Sequence, residues 1–355
     1  MKNRDSVFKS KLFWAVVAEM LILAVCFILR PEFFRVEYKP EIGMLFGSLI
    51  DILNRSSEIT IIAMGMTLVI ALGGTDLSVG ALVAVSGAMA LKFLRWDVLE
   101  YVTPGNYSVQ PFYLAIIVPL LTCLVMGLFN GMLISKFKLQ PIIATLVLMV
   151  AGRGIAQIIT NGKQFTTEFI PFKSIAQGSF MFLPMPILWS VLAVVAVSLF
   201  TRFTSFGMFV ESVGINRNAS RVSGLRSDRI ILIVYAITGF LAGVAGLIFA
   251  SRIKSNDSNN AGLYYELDAI LAVVIGGTSM SGGKFNLAGT VVGSIIIRTI
   301  TTLVFYFGVV SEAIMAFKAL IIFVVIVLQS EPVRKWMANL RRRLPGSEMG
   351  GELHV

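Results

Sequence analysis

Ten long apolar stretches divide this chain of 355 residues. They run approximately over 12–29, 59–72, 79–94, 112–134, 142–159, 183–200, 230–250, 267–276, 287–307 and 313–328. A hydrocarbon layer about 30 Å thick offers the backbone no hydrogen-bonding partners, so a spanning segment has to be a helix of about 20 apolar residues or part of a closed barrel. Runs of this length and composition therefore predict an all-α integral membrane protein with about ten transmembrane helices. Charged residues make up 14% of the chain, against about a quarter in a soluble domain. The reading divides the chain into an N-terminal tail (1–11), a membrane domain (12–328) containing a polar loop (201–229), and a C-terminal tail (329–355).

The net charge of +10 would suggest nucleic acid in a soluble protein. In a membrane protein basic residues concentrate in cytoplasmic loops. With the N-terminus inside, the N-tail, Lys136, Lys138, Lys284, the 201–229 loop and the C-tail hold seventeen of the 30 Lys and Arg. The opposite loops hold ten. This asymmetry predicts both termini and the 201–229 loop on the cytoplasmic side. The basic N-terminus leads into a retained first span, since no small-residue cleavage pattern follows it. Cys26 and Cys123 lie inside apolar runs, and the single histidine is His354 in the tail. Neither a disulfide framework nor a metal site is expected.

Two runs, 59–72 and 267–276, are too short to cross, and each ends in Gly-Gly-Thr. LVIALGGTDLSVG (68–80) and LAVVIGGTSMSGG (271–283) superpose as an internal repeat, or are two independent turns. Short Gly-interrupted segments at corresponding places point to a substrate path. On that basis Gly73, Gly74, Thr75, Asp76, Gly276, Gly277 and Thr278 are candidate pathway or helix-break residues, with Asn130 and Gln140 as further polar groups. Asp76 fits a helix cap better than a substrate ligand, and Ser279 holds the equivalent place. Gly127 and Gly131, Gly239 and Gly243, and Gly289 and Gly293 are spaced for close helix contact. Glu19, Arg153, Asp268, Arg298 and Lys318 also lie in or at the ends of runs, where charges are expensive. Among carboxylates only Glu19 is well inside a run, which argues against a proton-coupled carrier. GTSMSGGK (277–284) fails as a phosphate loop, because Phe285 stands where Ser or Thr is required.

The polar loop carries GINRNASRVSGL (214–225). Asn216 is placed to cap a helix starting at Arg217, and Gly224 to end it. Ala219, Val222 and Leu225 share one face, and Arg217 and Arg221 lie four apart on another. A solvated connector explains the arginines; an apolar stripe on a short capped helix asks for a groove.

GGTDLSVGA (73–81), GINRNASRVSGL and ELDAILAVVIGGTSMSGG (266–283) resemble motifs of the permease subunits of bacterial ABC importers for simple sugars. The likeness covers about 45–330. FGSLIDILNR (46–55), PIIATLVLMVAGRGIAQ (141–157) and NDSNNAGLYYELDAILAVVIGG (256–277) resemble the galactofuranose branch of that family. Thr75 departs from the family's usual aliphatic residue, and Ser220 from its usual Ala. The resemblance implies a permease of the bacterial inner membrane with no catalytic site and no cofactor of its own. It implies two permease chains, alike or different, and a cytoplasmic ATP-binding subunit that holds the ATP. A periplasmic or extracellular sugar-binding protein would deliver the sugar, and no nucleic acid is involved. Asn216, Arg217, Ala219, Arg221, Ser223 and Gly224 would form the coupling helix that docks on the ATPase.

Overall fold

The computed structural model describes residues 11–39, 43–94 and 111–308, with six helical positions between 313 and 327. Both tails, Lys318 and most of the tenth apolar run lie outside the described residues. In chain order the helices are α1 (Lys11–Leu29), α2 (Ser48–Ala71), α3 (Val79–Leu94), α4 (Leu114–Ser135), α5 (Pro141–Thr160) and α6 (Ile170–Gln177). They continue with α7 (Met185–Phe203), α8 (Phe206–Ile215), α9 (Arg217–Val222), α10 (Ser227–Ile253), α11 (Tyr265–Ile275) and α12 (Leu287–Tyr306).

Among the described residues α4, α5, α7, α10 and α12 are long and apolar enough to cross a membrane. Shorter apolar stretches lie in α1, α3 and α8. The structure is thus a multi-pass helical protein, and the described residues do not confirm the expected count of about ten. One expectation is corrected outright. The 59–72 run is not a short segment but the second half of α2, a helix of 24 residues and about 36 Å at 1.5 Å per residue. Its first half carries Asp51, Asn54, Arg55 and Glu58, which hide the helix from an apolar-run search. Those charges are partnered: Arg55 with Asp51 at 2.9 Å, and Glu58 with Arg252 of α10 at 3.0 Å. By contrast α11, with 11 residues, is as short as its run suggests.

The core is inside the bundle. Every residue from Ser56 to Ala71 is buried, and so is nearly all of α3. Around them α4, α5 and α7 turn apolar residues outward, among them Leu121, Val125, Val147, Val150, Val191 and Leu192. Outward-facing apolar surface is what lipid as solvent demands. Close packing inside runs through the spaced glycines. A Cβ on Gly127 would come within 2.4 Å of the Tyr235 carbonyl, and one on Gly239 within 2.4 Å of the Cys123 carbonyl, so α4 and α10 touch backbone to backbone. Gly293 meets the Ala272 carbonyl in the same way, joining α12 to α11. Two hydroxyl pairs tie α12 to α2: Thr60 with Ser294 at 2.6 Å, and Thr67 with Thr290 at 2.9 Å.

Six short strands pair as three two-stranded ribbons: β1 (Glu37–Lys39) with β2 (Met44–Phe46), β3 (Phe165–Thr166) with β6 (Ser255–Asn256), and β4 (Ser179–Phe180) with β5 (Leu183–Pro184). Together with Arg252 and the start of α2 they make up one end of the bundle. The other end collects the finish of α2, α8, α9 and the start of α10. All loops read as cytoplasmic from charge that fall within the described residues lie at that second end.

α3 and α11 meet head to head. Gly80, in the first turn of α3, lies against the Gly262 carbonyl and the carboxylate of Glu266, in the first turn of α11. The 255–264 segment reaches this point through polar contacts with α3 and α5. Arg153 donates to the carbonyls of Ser258, Asn259 and Ala261, and Asn256 to that of Ala84.

Candidate functional site

The 201–229 stretch is not a loop. α7 extends to Phe203, α8 and α9 follow, and α10 begins at Ser227. α8 buries Phe206, Gly207, Val210 and Val213 against the bundle, and α9 projects from it. The Asn216 side chain accepts from the Ala219 N–H at 2.9 Å, satisfying one of the free donors of the first turn. After Val222 the chain reverses through Gly224 at φ +87°. There the Leu225 N–H donates to the Ser220 carbonyl and the Gly224 N–H to the Arg221 carbonyl. That bond pair is the Schellman closure, and its left-handed position suits glycine.

The faces of α9 differ from the simplest expectation. Ser220 is the buried residue. Ala219, Val222 and Ser223 point outward, Val222 being 90% exposed and Ile215 just before the helix 72%. Arg217 and Arg221 turn toward the protein, onto Asp228. Arg217 Nη2 reaches Asp228 Oδ1 at 2.9 Å, and Arg221 Nη2 reaches it at 3.0 Å. Lys138, from the α4–α5 turn, reaches the same oxygen at 2.9 Å. Lys138 also donates to the Ser135 carbonyl at 2.5 Å, and Arg217 to that carbonyl at 3.4 Å. Asp228 was absent from the residues singled out in the sequence. Its spacing from Arg221 across a helix break carried no periodic signal.

Both Gly-Gly-Thr breaks lie beside α8. The Gly283 N–H donates to the Ala71 carbonyl at 2.8 Å, joining the turn after α11 to the end of α2. Gly214 closes the junction: a Cβ there would fall 1.8 Å from the Ala71 carbonyl and 2.8 Å from the Gly283 nitrogen. The two breaks are not alike in detail. The left-handed glycine is Gly73 in the first (φ +75°) and Gly277 in the second (φ +94°), which are not the superposed positions. Gly276 instead packs against Gly289, and Gly74 against Tyr235 and Pro141. The expected equivalence of Asp76 and Ser279 holds in the turn itself, where Ser279 Oγ accepts from the Ser281 N–H two residues on at 3.3 Å, but not at the helix start that follows. Asp76 Oδ1 accepts from Ser78 N–H at 2.9 Å and Ser78 Oγ at 2.6 Å, two residues on, just ahead of α3. In the second break Asn286 caps α12, accepting from Gly289 N–H at 3.1 Å. Thr278 Oγ1 takes the Asn286 N–H at 3.2 Å, closing the turn on itself.

Of the other candidate pathway residues, Asn130 is brought to Asp76 through Ser78, donating to Ser78 Oγ at 2.9 Å. The Thr75 carbonyl accepts from Tyr235 Oη at 3.4 Å. Asp76 and Asn130 are fully buried. Gln140 is exposed at the start of α5 and does not join them. Glu19, the carboxylate placed well inside an apolar run, accepts from Thr299 of α12 at 2.8 Å. At the opposite end a cavity of about 200 Å³ opens among Phe46, Asn54, Gln177, Pro184 and Arg252.

At this end of the bundle α9 thus presents a capped helix with exposed apolar side chains. Comparison with known proteins gives the family. Residues 48–328 match the family model described as the permease component of branched-chain amino acid transport systems. The chain belongs to this permease family. The permease is 42% identical to the galactofuranose transporter permease protein YtfT of Escherichia coli, over 92% of both chains. It is 39% identical to the fructose import permease protein FruF of Bifidobacterium longum, over 95% of this chain and 92% of that one. Against the ribose import permease protein RbsC of Haemophilus influenzae the identity is 36%, over 92% and 96%. No solved structure matches the permease.

Proposed function

We propose that the chain is the membrane-spanning subunit of an ATP-driven importer that carries a monosaccharide, galactofuranose or a related sugar, into the cytoplasm. The observation that carries this reading is α9, a helix closed at both ends whose outward face is apolar. In this reading a cytoplasmic ATP-binding subunit, which holds the ATP, receives Ile215, Ala219 and Val222 in a groove. A binding protein outside delivers sugar to the end that carries the ribbons and the 200 Å³ cavity. A second permease chain, alike or different, completes the path. Both termini and α9 are then cytoplasmic.

Binding and hydrolysis of ATP move α9. α8 is locked at Gly214 to the end of α2 and to the 282–283 turn, so both breaks move with it, as packed elements shift between discrete arrangements. The permease performs no bond chemistry. The likeness to a galactofuranose permease over nearly the whole chain supports the sugar, and fructose and ribose permeases follow at lower identity.

The test is uptake by the full transporter in proteoliposomes, with labelled galactofuranose, fructose, ribose and leucine offered separately. Val222→Glu puts a charge where the fold has no contact to lose. It should abolish both co-purification with the ATP-binding subunit and uptake. Wild-type uptake in that variant would reject α9 as the docking element, and accumulation of leucine alone would reject the sugar.

A further inference from the structure

We propose that Asp228 is the positioning residue that makes the coupling element and the membrane helices move as one. The inference rests on reading α9 as the docking helix. One carboxylate, at the opening of α10, receives three cations from two other elements: Lys138 from the α4–α5 turn, and Arg217 and Arg221 from α9. Arg221 engages both oxygens, at 3.0 and 3.2 Å. Two hydrogen bonds to carbonyls follow the same route. Ser227 Oγ donates to the Arg217 carbonyl and Arg217 to the Ser135 carbonyl, each at 3.4 Å.

The helix it anchors is the one through which movement would spread furthest. α10 packs backbone to backbone on α4 at Gly127 and Gly239, touches α2 through Gly65 and Thr238, and touches α3 through Gly246 and Val83. By contrast α9 has six residues and no span of its own. It is fixed to the bundle by α8 on one side and by Asp228 on the other.

Exposure decides what kind of role this is. The side chains of Lys138, Asp228 and Arg221 are about half exposed, at 50%, 45% and 50%. Ion pairs so open to water add little to folding stability. They do fix geometry, and here one negative charge holds three positive ones. Without it Lys138, Arg217 and Arg221 repel one another, and α9 loses its hold on α10 while the fold remains.

The experiment compares Asp228→Asn, Asp228→Glu and wild type in the full transporter reconstituted in proteoliposomes. Sugar taken up per ATP hydrolysed is the readout, alongside the thermal midpoint of the purified complex. Asp228→Asn is expected to lower uptake per ATP at least fivefold with the midpoint little moved, and Asp228→Glu to restore most of it. A ratio equal to wild type in Asp228→Asn overturns the proposal. So does a loss that Asp228→Glu fails to rescue, or one that follows the midpoint. If the wild-type chain does not assemble with an ATP-binding subunit at all, the docking reading itself falls, a result distinct from a failure at Asp228.

Discussion

At the scale of single residues, two glycines with the same composition have opposite meanings. Gly214 lies where a methyl group would overlap the Ala71 carbonyl, with a separation of 1.8 Å. Gly154, inside α5, has nothing within 4 Å of the same methyl. Gly214→Ala is therefore expected to cost about 1–3 kcal/mol by overpacking and to slow uptake by prising α8 off α2. Gly154→Ala should gain up to about 1 kcal/mol from helix propensity. Thermal midpoints of the two purified variants check both signs; a stabilised Gly214→Ala would break the junction argument. Nothing local in the sequence separates these glycines. Their difference lies in which backbone comes near, and Ala71 and Gly283 are far from Gly214 along the chain.

At the scale of elements, legibility followed chemistry. α3 occupies the bounds its apolar run suggested, and α4, α5, α10 and α12 lie within a few residues of theirs. A helix facing lipid or sealed inside the bundle is continuously apolar, and that signal needs no tertiary information. α2 was half hidden because its first half carries charges, Asp51 and Arg55 paired with each other and Glu58 paired with Arg252 of α10. α8 was missed because its apolar residues are too few to stand out, although they bury against the bundle. The caps of α9 were legible, since capping is local. The direction of its arginines was not, because Asp228 and Lys138 come from other elements. A helix of six residues cannot hold itself together in water, so its cap matters locally. Asn216→Ala should cost about 1 kcal/mol and appear as faster hydrogen exchange at 219–222, with the global midpoint nearly unchanged. Unaltered exchange there would mean that α8 and Asp228 alone shape the helix.

At the scale of the whole molecule, the loops sorted by charge also sort by position. Lys138, Arg217, Arg221 and Asp228 meet at one end, and Arg252, the ribbons and α6 at the other. Val222→Cys and Ile170→Cys should consequently react with a membrane-impermeant maleimide from opposite faces of oriented vesicles, Val222→Cys from the cytoplasmic face. Both sites are exposed, Ile170 at 71%, and native Cys26 and Cys123 are buried and silent. Labelling of both from one face would undo the topology. The head-to-head meeting of α3 and α11 has a consequence of another kind. The start of a helix carries about half a positive charge, so two starts brought together repel like the facing north poles of two bar magnets. The Glu266 carboxyl group lies in that gap against Gly80, its oxygens set between two positive ends. Through it the two halves of the chain, which share no covalent link near this point, are drawn to a common centre.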